Sequence, residues 1–428
     1  MLIKKETFTK YNLINLLIAF IPLSLIIGNL ATNINIFLIC ILGIIIYKFE
    51  IFRINRKILQ YLIYIFFIYL IVITLYNNLP NLSENQLYKE HIIKSFFFLR
   101  YLILFLVVNK LVEKDHFNIN LFFVSCGFFA LAVSIDIIIQ VTFGENIFGY
   151  GITKGRPSSF FGNENIAGGF LQKFSIFFIV LVLSYVKKNK IYFYSTLLFI
   201  SFFIPIYLTG NRMPTLLYFL SVIGFFILTK QIKTIFLFVL LCSVLVFTLK
   251  KYPINERLNI QTNIFFEETL KFVKKAPRLF YDNTYDGIEM IDMGTSGYLV
   301  HFNSGVQIWK KNKIFGKGLK SFRLNCTYGN NQTCNTHPHN YIIELLLDVG
   351  IVGLTLIYLI FIFSVFNFFN FYKHNSNLKL LSFPFFLIVI LEFFPLRSSG
   401  SFFTTSNATV IFFMLAVVVG LSSSKKNR

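Results

Sequence analysis

Residues suited to acid–base chemistry are concentrated in one short segment of the chain. His339-Asn340 precedes a long apolar run, and Glu344 and Asp348 follow Asn340 after four and eight residues. Residues four apart lie on one side of a helix, so we expect Asn340 and both carboxylates to share a face. A histidine at the end of this polar stripe is well placed to act as a base. The same pattern also suits a buried polar cluster that only fixes packing.

Two other segments place an arginine among small and polar residues. Arg156 lies in Gly155-Arg156-Pro157, shortly before Gly162-Asn163-Glu164-Asn165, and Arg212 ends Thr209-Gly210-Asn211-Arg212. A guanidinium group binds phosphate through two parallel hydrogen bonds, so both segments suit an anionic ligand. The alternative is that these arginines reach the phosphates of membrane lipids.

Small residues and cysteines supply two further expectations. Gly350 and Gly353 would allow a neighbouring helix to approach closely. Cys326 and Cys334 lie close together in a polar segment, where a disulfide between them is plausible in an oxidising compartment. The remaining cysteines lie in apolar runs and are interpreted as packing residues: Cys40, Cys126 and Cys242.

The elements that carry these residues are predicted to be membrane-spanning helices. Hydrophobic residues make up 56% of the 428 positions and charged residues only 14%, against about 25% in soluble domains. Backbone groups in lipid must be satisfied within the segment, so apolar runs of this length are helices. The runs lie near 12–28, 33–48, 58–76, 95–112, 119–143, 165–186, 190–208, 213–229, 231–249, 340–366, 378–395 and 403–421.

The predicted fold is an all-α polytopic membrane protein with about twelve transmembrane helices. Residues 1–249 hold the first nine helices, residues 250–339 form one long loop with short amphipathic helices, and residues 340–428 hold the last three helices and a tail. Lys and Arg are concentrated in alternate short connections, which places both termini in the cytoplasm and the long loop outside. The net charge of +21 is therefore ascribed to topology and membrane lipid, and no nucleic acid partner is expected.

The ordered motifs resemble the O-antigen ligase and polymerase superfamily. Thr336-His-Pro-His-Asn340 is followed, after nine residues, by Gly350-x-x-Gly353, which is similar to the signature of that superfamily. The segments around Arg156 and Arg212 precede it in the expected order, as does Trp309 with Phe315-Gly-Lys-Gly318, and Ser398–Phe403 follows it. The resemblance covers most of the chain.

The resemblance implies a glycosyltransferase that needs no metal or other cofactor, in a bacterial inner membrane with its active face in the periplasm. The donor would be a glycan linked to undecaprenyl diphosphate. The acceptor would be lipid A–core for a ligase, or another carrier-linked repeat for a polymerase. By resemblance, His339 activates the acceptor and Arg212 binds the diphosphate, with Arg156 a further candidate. Supporting roles fall to Asn340, Glu344, Asp348, Gly350 and Gly353.

The chain departs from the family pattern at one position. Many ligases carry an arginine in the long loop ahead of its amphipathic helix, and here Ser296-Gly-Tyr-Leu-Val-His301 contains none. The candidates to replace this arginine are His301, Arg278 and Arg323.

The motif favours a ligase over a polymerase. Polymerases often show an arginine and a glycine eleven positions apart in an outer loop, whereas Arg156 and Gly168 are twelve apart. A transporter of lipid-linked glycans is the alternative from another class. Asp136, Gln140 and Glu392 are the polar residues that would serve it inside the membrane. However, the sequence has no visible repeat of one half in the other.

Overall fold

The computed structural model describes residues 10–53, 57–83, 85–152, 156–187, 190–251, 297–326, 336–374, 379–395, 397 and 400–423. Regular secondary structure in these ranges is helical. The helices, numbered along the chain, are α1 Lys10–Ala19, α2 Ile21–Ile27, α3 Asn29–Tyr47, α4 Lys57–Asn78, α5 Gln86–Phe97, α6 Leu99–Glu113, α7 Ile119–Phe143, α8 Ala167–Tyr185, α9 Ile191–Leu208, α10 Arg212–Leu228, α11 Ile232–Lys251, α12 Gly297–Lys311, α13 Phe322–Asn325, α14 Tyr341–His374, α15 Lys379–Glu392 and α16 Thr405–Ser423.

These helices confirm the prediction of a polytopic all-α membrane protein. Eight stretches of helix in the described ranges are long and apolar enough to cross a membrane, and three further apolar helices are shorter. Each of the twelve predicted runs coincides with helix. The first run is divided between α1 and α2, because Pro22 at the start of α2 has no backbone N–H to donate to the preceding turn.

The chain forms two compact units. The first consists of Met1–Ile46, Lys114–Phe265 and Tyr372–Leu391, and the second of Tyr47–Glu113, Phe266–Phe371 and Glu392–Arg428. Arg156 and Arg212 belong to the first unit. His339 and the whole polar stripe of α14 belong to the second.

Close helix packing forms the interior of the second unit. Helix α16 packs along α6, and a Cβ on Gly420 would lie 2.7 Å from Cβ of Val112. Phe98, Tyr101 and Phe412 form an aromatic cluster, with centroids of Phe98 and Tyr101 4.9 Å apart. Dispersion contacts of this density stabilise helix pairs where lipid provides no hydrophobic driving force.

Helix α14 is interrupted at Gly350. The backbone there has φ 65° and ψ −170°, a conformation open essentially to glycine. A Cβ at this position would lie 2.1 Å from the carbonyl oxygen of Ile314. Residues 313–321, which we call the inserted loop, approach Gly350 closely. Only glycine fits here, because the backbone conformation disfavours other residues and the loop leaves no space for a side chain.

The inserted loop satisfies the backbone groups that the interruption frees. The N–H groups of Lys317 and Gly318 donate to carbonyl oxygens of the turn before Gly350, at 2.8 and 2.7 Å. The N–H groups of Ile351 and Val352 donate to carbonyl oxygens of the loop at 3.0 and 3.2 Å. Because unpaired backbone groups are costly in a membrane, this exchange permits a break within a spanning helix.

Candidate active site

Three histidines meet at the N-terminal end of α14. The ring centroids of His337 and His339 are 4.2 Å apart, and those of His301 and His339 are 5.2 Å apart. His301 comes from α12. This helix approaches α14 closely at Gly305, where an added Cβ would lie only 2.5 Å from the side chain of Ile343. In the part of the chain that the structure describes, no group of three or more His, Cys, Asp or Glu side chains is arranged to hold a metal ion.

An apolar cluster holds α12 in this position. Phe302, Val306 and Ile308 of α12 pack with Ile343 and Leu347 of α14. Burying side chains of this size stabilises the pair by roughly 1.5–3 kcal/mol each. The hydrophobic face of α12 therefore determines where His301 lies relative to His339.

The histidine cluster is uncharged at neutral pH. Burial, together with the neighbouring His301, lowers the pKa of His339 to about 4. Burial, with His339 and Lys320 nearby, lowers the pKa of His337 to about 3. Burial also lowers the pKa of His301. Neutral imidazole has one nitrogen available to accept a proton, so His339 is in the protonation state that a base requires.

Asn340 is the N-cap of α14 and anchors a second loop. Its Oδ1 accepts hydrogen bonds from the N–H groups of Ile342 and Ile343 at 2.9 and 3.0 Å. Its Nδ2 donates to the carbonyl oxygens of Pro395 and Arg397, at 3.0 Å each. The preceding residue, His339, has φ 59°, a left-handed conformation uncommon for side chains other than glycine. The cap therefore fixes the backbone from which His339 projects.

Glu344 is buried and joins α14 to the segment before α16. Its carboxylate accepts hydrogen bonds from Ser401 Oγ at 2.5 Å and from the N–H of Phe402 at 2.6 Å. Lys320 Nζ lies 3.7 Å from Glu344 Oε1 and donates to Ser401 Oγ at 2.7 Å. The lysine side chain is 22% exposed, whereas that of Glu344 is 2% exposed.

Asp348 binds the backbone of the inserted loop. Its carboxylate accepts from the N–H groups of Lys320 and Ser321, each at 2.9 Å, and from Ser321 Oγ at 2.8 Å. The two carboxylates of the polar stripe thus hold the same residue: Asp348 holds the backbone of Lys320, and Glu344 lies by its ammonium group. Lys320 has φ 62°, so these contacts stabilise a backbone conformation that is otherwise unfavourable.

Glu392 and Arg397 form a buried ion pair near the start of α14. Arg397 NH1 lies 2.9 Å from Glu392 Oε2, although the N–H is not aligned for a hydrogen bond, and the guanidinium carbon lies 4.8 Å from the ring centroid of Tyr341. The hydroxyl of Tyr341 donates to the same carboxylate at 3.4 Å. A buried carboxylate with these partners is accounted for without a transport pathway.

Arg212 occupies the first position of α10 in the first unit. The turn before it is tight, with Gly210 at φ 65°, and Asn211 Nδ2 donates to the carbonyl oxygen of Asn165 at 3.0 Å. A Cβ on Gly168 would lie 2.6 Å from Thr209 Oγ1. The structure therefore brings the Asn165 segment and the Arg212 turn together. A helix N-terminus beside a guanidinium group suits an anion.

A buried network orders the loop that carries Arg156. Asp136 accepts hydrogen bonds from Ser159 Oγ at 2.7 Å, from the N–H of Ile147 at 3.1 Å and from Asn146 Nδ2 at 3.3 Å. Gln140 accepts from the N–H of Ser159 at 2.8 Å. Asp136 and Gln140, the residues that would have served transport, are thus engaged in holding a loop.

The other predicted site residues are dispersed or lie outside the described ranges. Arg323 is exposed on α13, and Arg278 falls in a part of the chain that the structure does not describe. Cys326 is disulfide-bonded and packs beside the α12 cluster. Cys334 lies outside the described residues, so its pairing with Cys326 stays a prediction. A Cβ on Gly353 would lie 2.3 Å from Cβ of Val349 in the same helix and 3.1 Å from the ring of Tyr69 on α4, so a neighbouring helix approaches this glycine as predicted.

Sequence reasoning missed three residues of this region. Lys320 and Ser401 contact Glu344, and the ring of His337 lies tilted beside that of His339. The signal for Lys320 was its place two residues after the Gly-Lys-Gly turn. His337 was within the quoted motif but was not selected, because two histidines separated by one residue need not fold with their rings together.

The fold and the polar site define a multi-pass membrane protein with a buried histidine and carboxylate centre. A family model described as O-Antigen ligase matches residues 196–358, from α9 to beyond Gly353. The match confirms the resemblance to the O-antigen ligase and polymerase superfamily, whose members are membrane glycosyltransferase-like enzymes. No curated protein matches the chain.

Proposed function

We propose that the protein is an O-antigen ligase-like glycosyltransferase. It moves a glycan from undecaprenyl diphosphate to a sugar of lipid A–core at the periplasmic face of the inner membrane. The observation that carries the proposal is the neutral His339, held by the Asn340 cap beside His301 and His337. The family match over residues 196–358 supports the same class of reaction.

In this mechanism, His339 accepts the proton of the acceptor hydroxyl. The hydroxyl oxygen then bonds to the anomeric carbon of the donor glycan, and the bond from that carbon to the diphosphate oxygen breaks. General-base assistance of this kind contributes typically about 10²–10⁴-fold to the rate. The diphosphate leaves with its electron pair. Because a diphosphate is already a good leaving group, the proposed reaction needs no metal, nucleotide or other cofactor.

The leaving diphosphate requires positive charge, which we assign to Arg212 on the basis of the resemblance. Arg212 stands at a helix N-terminus, where the helix dipole adds to the guanidinium charge. Arg156 is a further candidate, because the Asp136 network orders the loop beside it. His301 lies beside His339 and is the loop candidate with a described position in the histidine cluster.

A repeat-unit polymerase is the second candidate function. It would use the same base and the same donor, with a carrier-linked repeat as acceptor in place of lipid A–core. The nine-residue spacing from Asn340 to Gly350 and the one long outer loop favour the ligase. Transport of the lipid-linked glycan is less favoured, because Asp136, Gln140 and Glu392 have protein partners.

Reconstitution of the purified protein in liposomes tests the proposal. The liposomes contain an undecaprenyl-diphosphate glycan, with and without lipid A–core, and products are resolved by mass. Glycan attached to lipid A–core is the expected result. Elongated carrier-linked chains without that acceptor would establish the polymerase, and movement of the glycan across the bilayer without covalent product would establish transport.

Two variants connect this activity to the proposed residues. His339→Ala and Arg212→Ala are each expected to lower transfer by at least about 100-fold with nearly unchanged thermal unfolding. His116→Ala is the matched control, because His116 lies in the first unit and stacks on Tyr11. Full transfer by either variant would remove that residue from the mechanism.

A further inference from the structure

A fourth histidine lies near this site on α5 and has no role in the mechanism above. His91 is 2% exposed, and within the described ranges its Nδ1 has no hydrogen-bond partner. Leaving a polar atom unpaired in a protein interior is unfavourable. Such an atom remains able to exchange a hydrogen bond with a water molecule or a ligand.

The surroundings of His91 connect it to Lys320. Helix α5 packs against α4, and Thr74 of α4 accepts a hydrogen bond from the N–H of Leu319 at 2.9 Å. A Cβ on Gly318 would lie 3.0 Å from Cα of Thr74, so the inserted loop lies directly against α4. Lys320, which follows Leu319, and Arg323 are electrostatic neighbours of His91.

A second unpaired imidazole nitrogen belongs to another histidine that neighbours Lys320. His337 Nε2 is buried and has no hydrogen-bond partner in the described part of the chain, while Thr336 Oγ1 lies 2.9 Å from the other ring nitrogen. Lys320 is an electrostatic neighbour of His337 as well. Two unpaired imidazole nitrogens therefore share Lys320 as a common neighbour.

We propose that His91 and His337 form a subsite for sugar hydroxyl groups of the acceptor. The chemistry favours a neutral hydroxyl-bearing ligand over a second diphosphate, since the charge of Lys320 is already balanced by Glu344. An imidazole nitrogen donates to or accepts from a hydroxyl group, so either tautomer can bind a sugar. This inference rests on the proposed function, because it assigns the acceptor to the same site.

Substitutions at His91 test this assignment in the reconstituted transfer assay. Asparagine places a polar atom near the position of Nδ1, whereas leucine fills the space without one. His91→Leu is expected to raise the KM for lipid A–core about tenfold, the effect of losing one hydrogen bond, and to leave the KM for the donor unchanged. His91→Asn is expected to stay within about twofold of the wild type.

The controls separate binding from folding. His116→Leu is the matched substitution in the other unit, and thermal unfolding of each variant reports on stability. Equal acceptor KM for His91→Leu and the wild type would overturn the proposal, as would equal impairment of the leucine and asparagine variants or a rise in donor KM alone. Absence of transfer by the wild type would instead overturn the proposed function, so the two failures are distinguishable.

Discussion

At the scale of single residues, burial sets the charge state of the histidine cluster that contains the proposed base. His339 and His337 lie within a ring-to-ring distance of 4.2 Å, and neither is charged at neutral pH. A lowered pKa ensures the neutral form but makes the imidazole a weak base. In the proposed mechanism, the negative charge of the donor diphosphate would favour the protonated form of His339 and strengthen the base, which would couple donor binding to base strength.

This coupling predicts two different pH profiles. For free enzyme, kcat/KM should stay flat from pH 7 down to about 5, because His339 with a pKa of about 4 remains neutral there. With saturating donor, kcat should begin to fall at a higher pH, since the diphosphate raises the pKa of the histidine. The measurement is transfer rate against pH at limiting and saturating donor. A fall in kcat/KM centred near 6.5 would contradict the buried, neutral state.

The same pKa values set the sign of a stability change. The histidines resist protonation in the folded state, whereas an unfolded chain binds protons near pH 6.5. Stability is therefore fully present above about 6.5 and is lost as the pH falls toward about 4. His339→Ala should flatten this dependence in thermal unfolding, and His116→Ala should leave it unchanged.

Lys320 provides a second prediction at this scale. Replacing it with methionine leaves the carboxylate of Glu344 buried without the nearby ammonium group. We expect Lys320→Met to lower the free energy of unfolding by on the order of 2 kcal/mol, less than for a fully buried pair because the lysine is partly exposed. Adding Glu344→Gln should recover part of this loss, which a double-mutant cycle measures.

Lys313→Met is the matched control for Lys320. Lys313 belongs to the same inserted loop and its side chain is exposed, so its replacement should change stability by less than about 0.5 kcal/mol. Equal effects of the two substitutions would show that the ammonium group of Lys320 does not stabilise Glu344.

At the scale of elements, the central feature is a spanning helix whose break is filled by a loop. The loop gives its N–H groups to the first part of α14 and its carbonyl groups to the second part. It also carries Lys320 to the polar stripe, where Glu344 and Asp348 hold it. The Gly350-x-x-Gly353 pattern was expected to admit a neighbouring helix, and at Gly350 the close neighbour is this loop.

Gly350→Ala should therefore be strongly destabilising. The new Cβ would combine an unfavourable positive φ with overlap on the Ile314 carbonyl, and we expect a loss of about 3 kcal/mol or more. Gly144→Ala is the control, because Gly144 also has positive φ but nothing within 4 Å of a Cβ, so the expected loss is about 1 kcal/mol. Comparable thermal unfolding of the two variants would contradict the role of the loop.

At the scale of the whole molecule, basic residues predict which side of the membrane each connection faces. Lys187 follows α8 and Lys89 lies in α5, and both side chains are exposed. With both termini inside, Lys187 faces the cytoplasm and Lys89 the periplasm. Among the described residues, Cys40, Cys126 and Cys242 are buried and Cys326 is disulfide-bonded, so these native cysteines interfere little with labelling, and labelling of the unsubstituted protein gives the background.

A membrane-impermeant thiol reagent applied to intact spheroplasts tests this orientation. Lys89→Cys should be labelled and Lys187→Cys should be labelled only after the membrane is permeabilised. The reverse result would invert the protein in the membrane. Labelling of both positions from one side would mean that a span between them had been miscounted.

Hydropathy and composition were enough to establish the membrane class, the helical fold and the places of the spans. Lipid leaves the backbone no alternative to helix, so each apolar run has essentially one structural outcome. The ordered motifs also indicated the resemblance to the O-antigen ligase and polymerase superfamily, which the family match over residues 196–358 supports. Both conclusions depend on residues close together in sequence.

The partners of those residues were decided only by the tertiary structure. Lys320 reaches Glu344 from 24 positions away, and Ser401 reaches it from 57 positions away. His301 lies beside His339 because the apolar face of α12 packs on α14. Hydropathy predicts which segments are apolar and helical. Contacts between distant segments depend instead on how the helices pack and on where the inserted loop enters the interruption of α14. Those contacts determine the charge state of the histidines and the surroundings of Lys320.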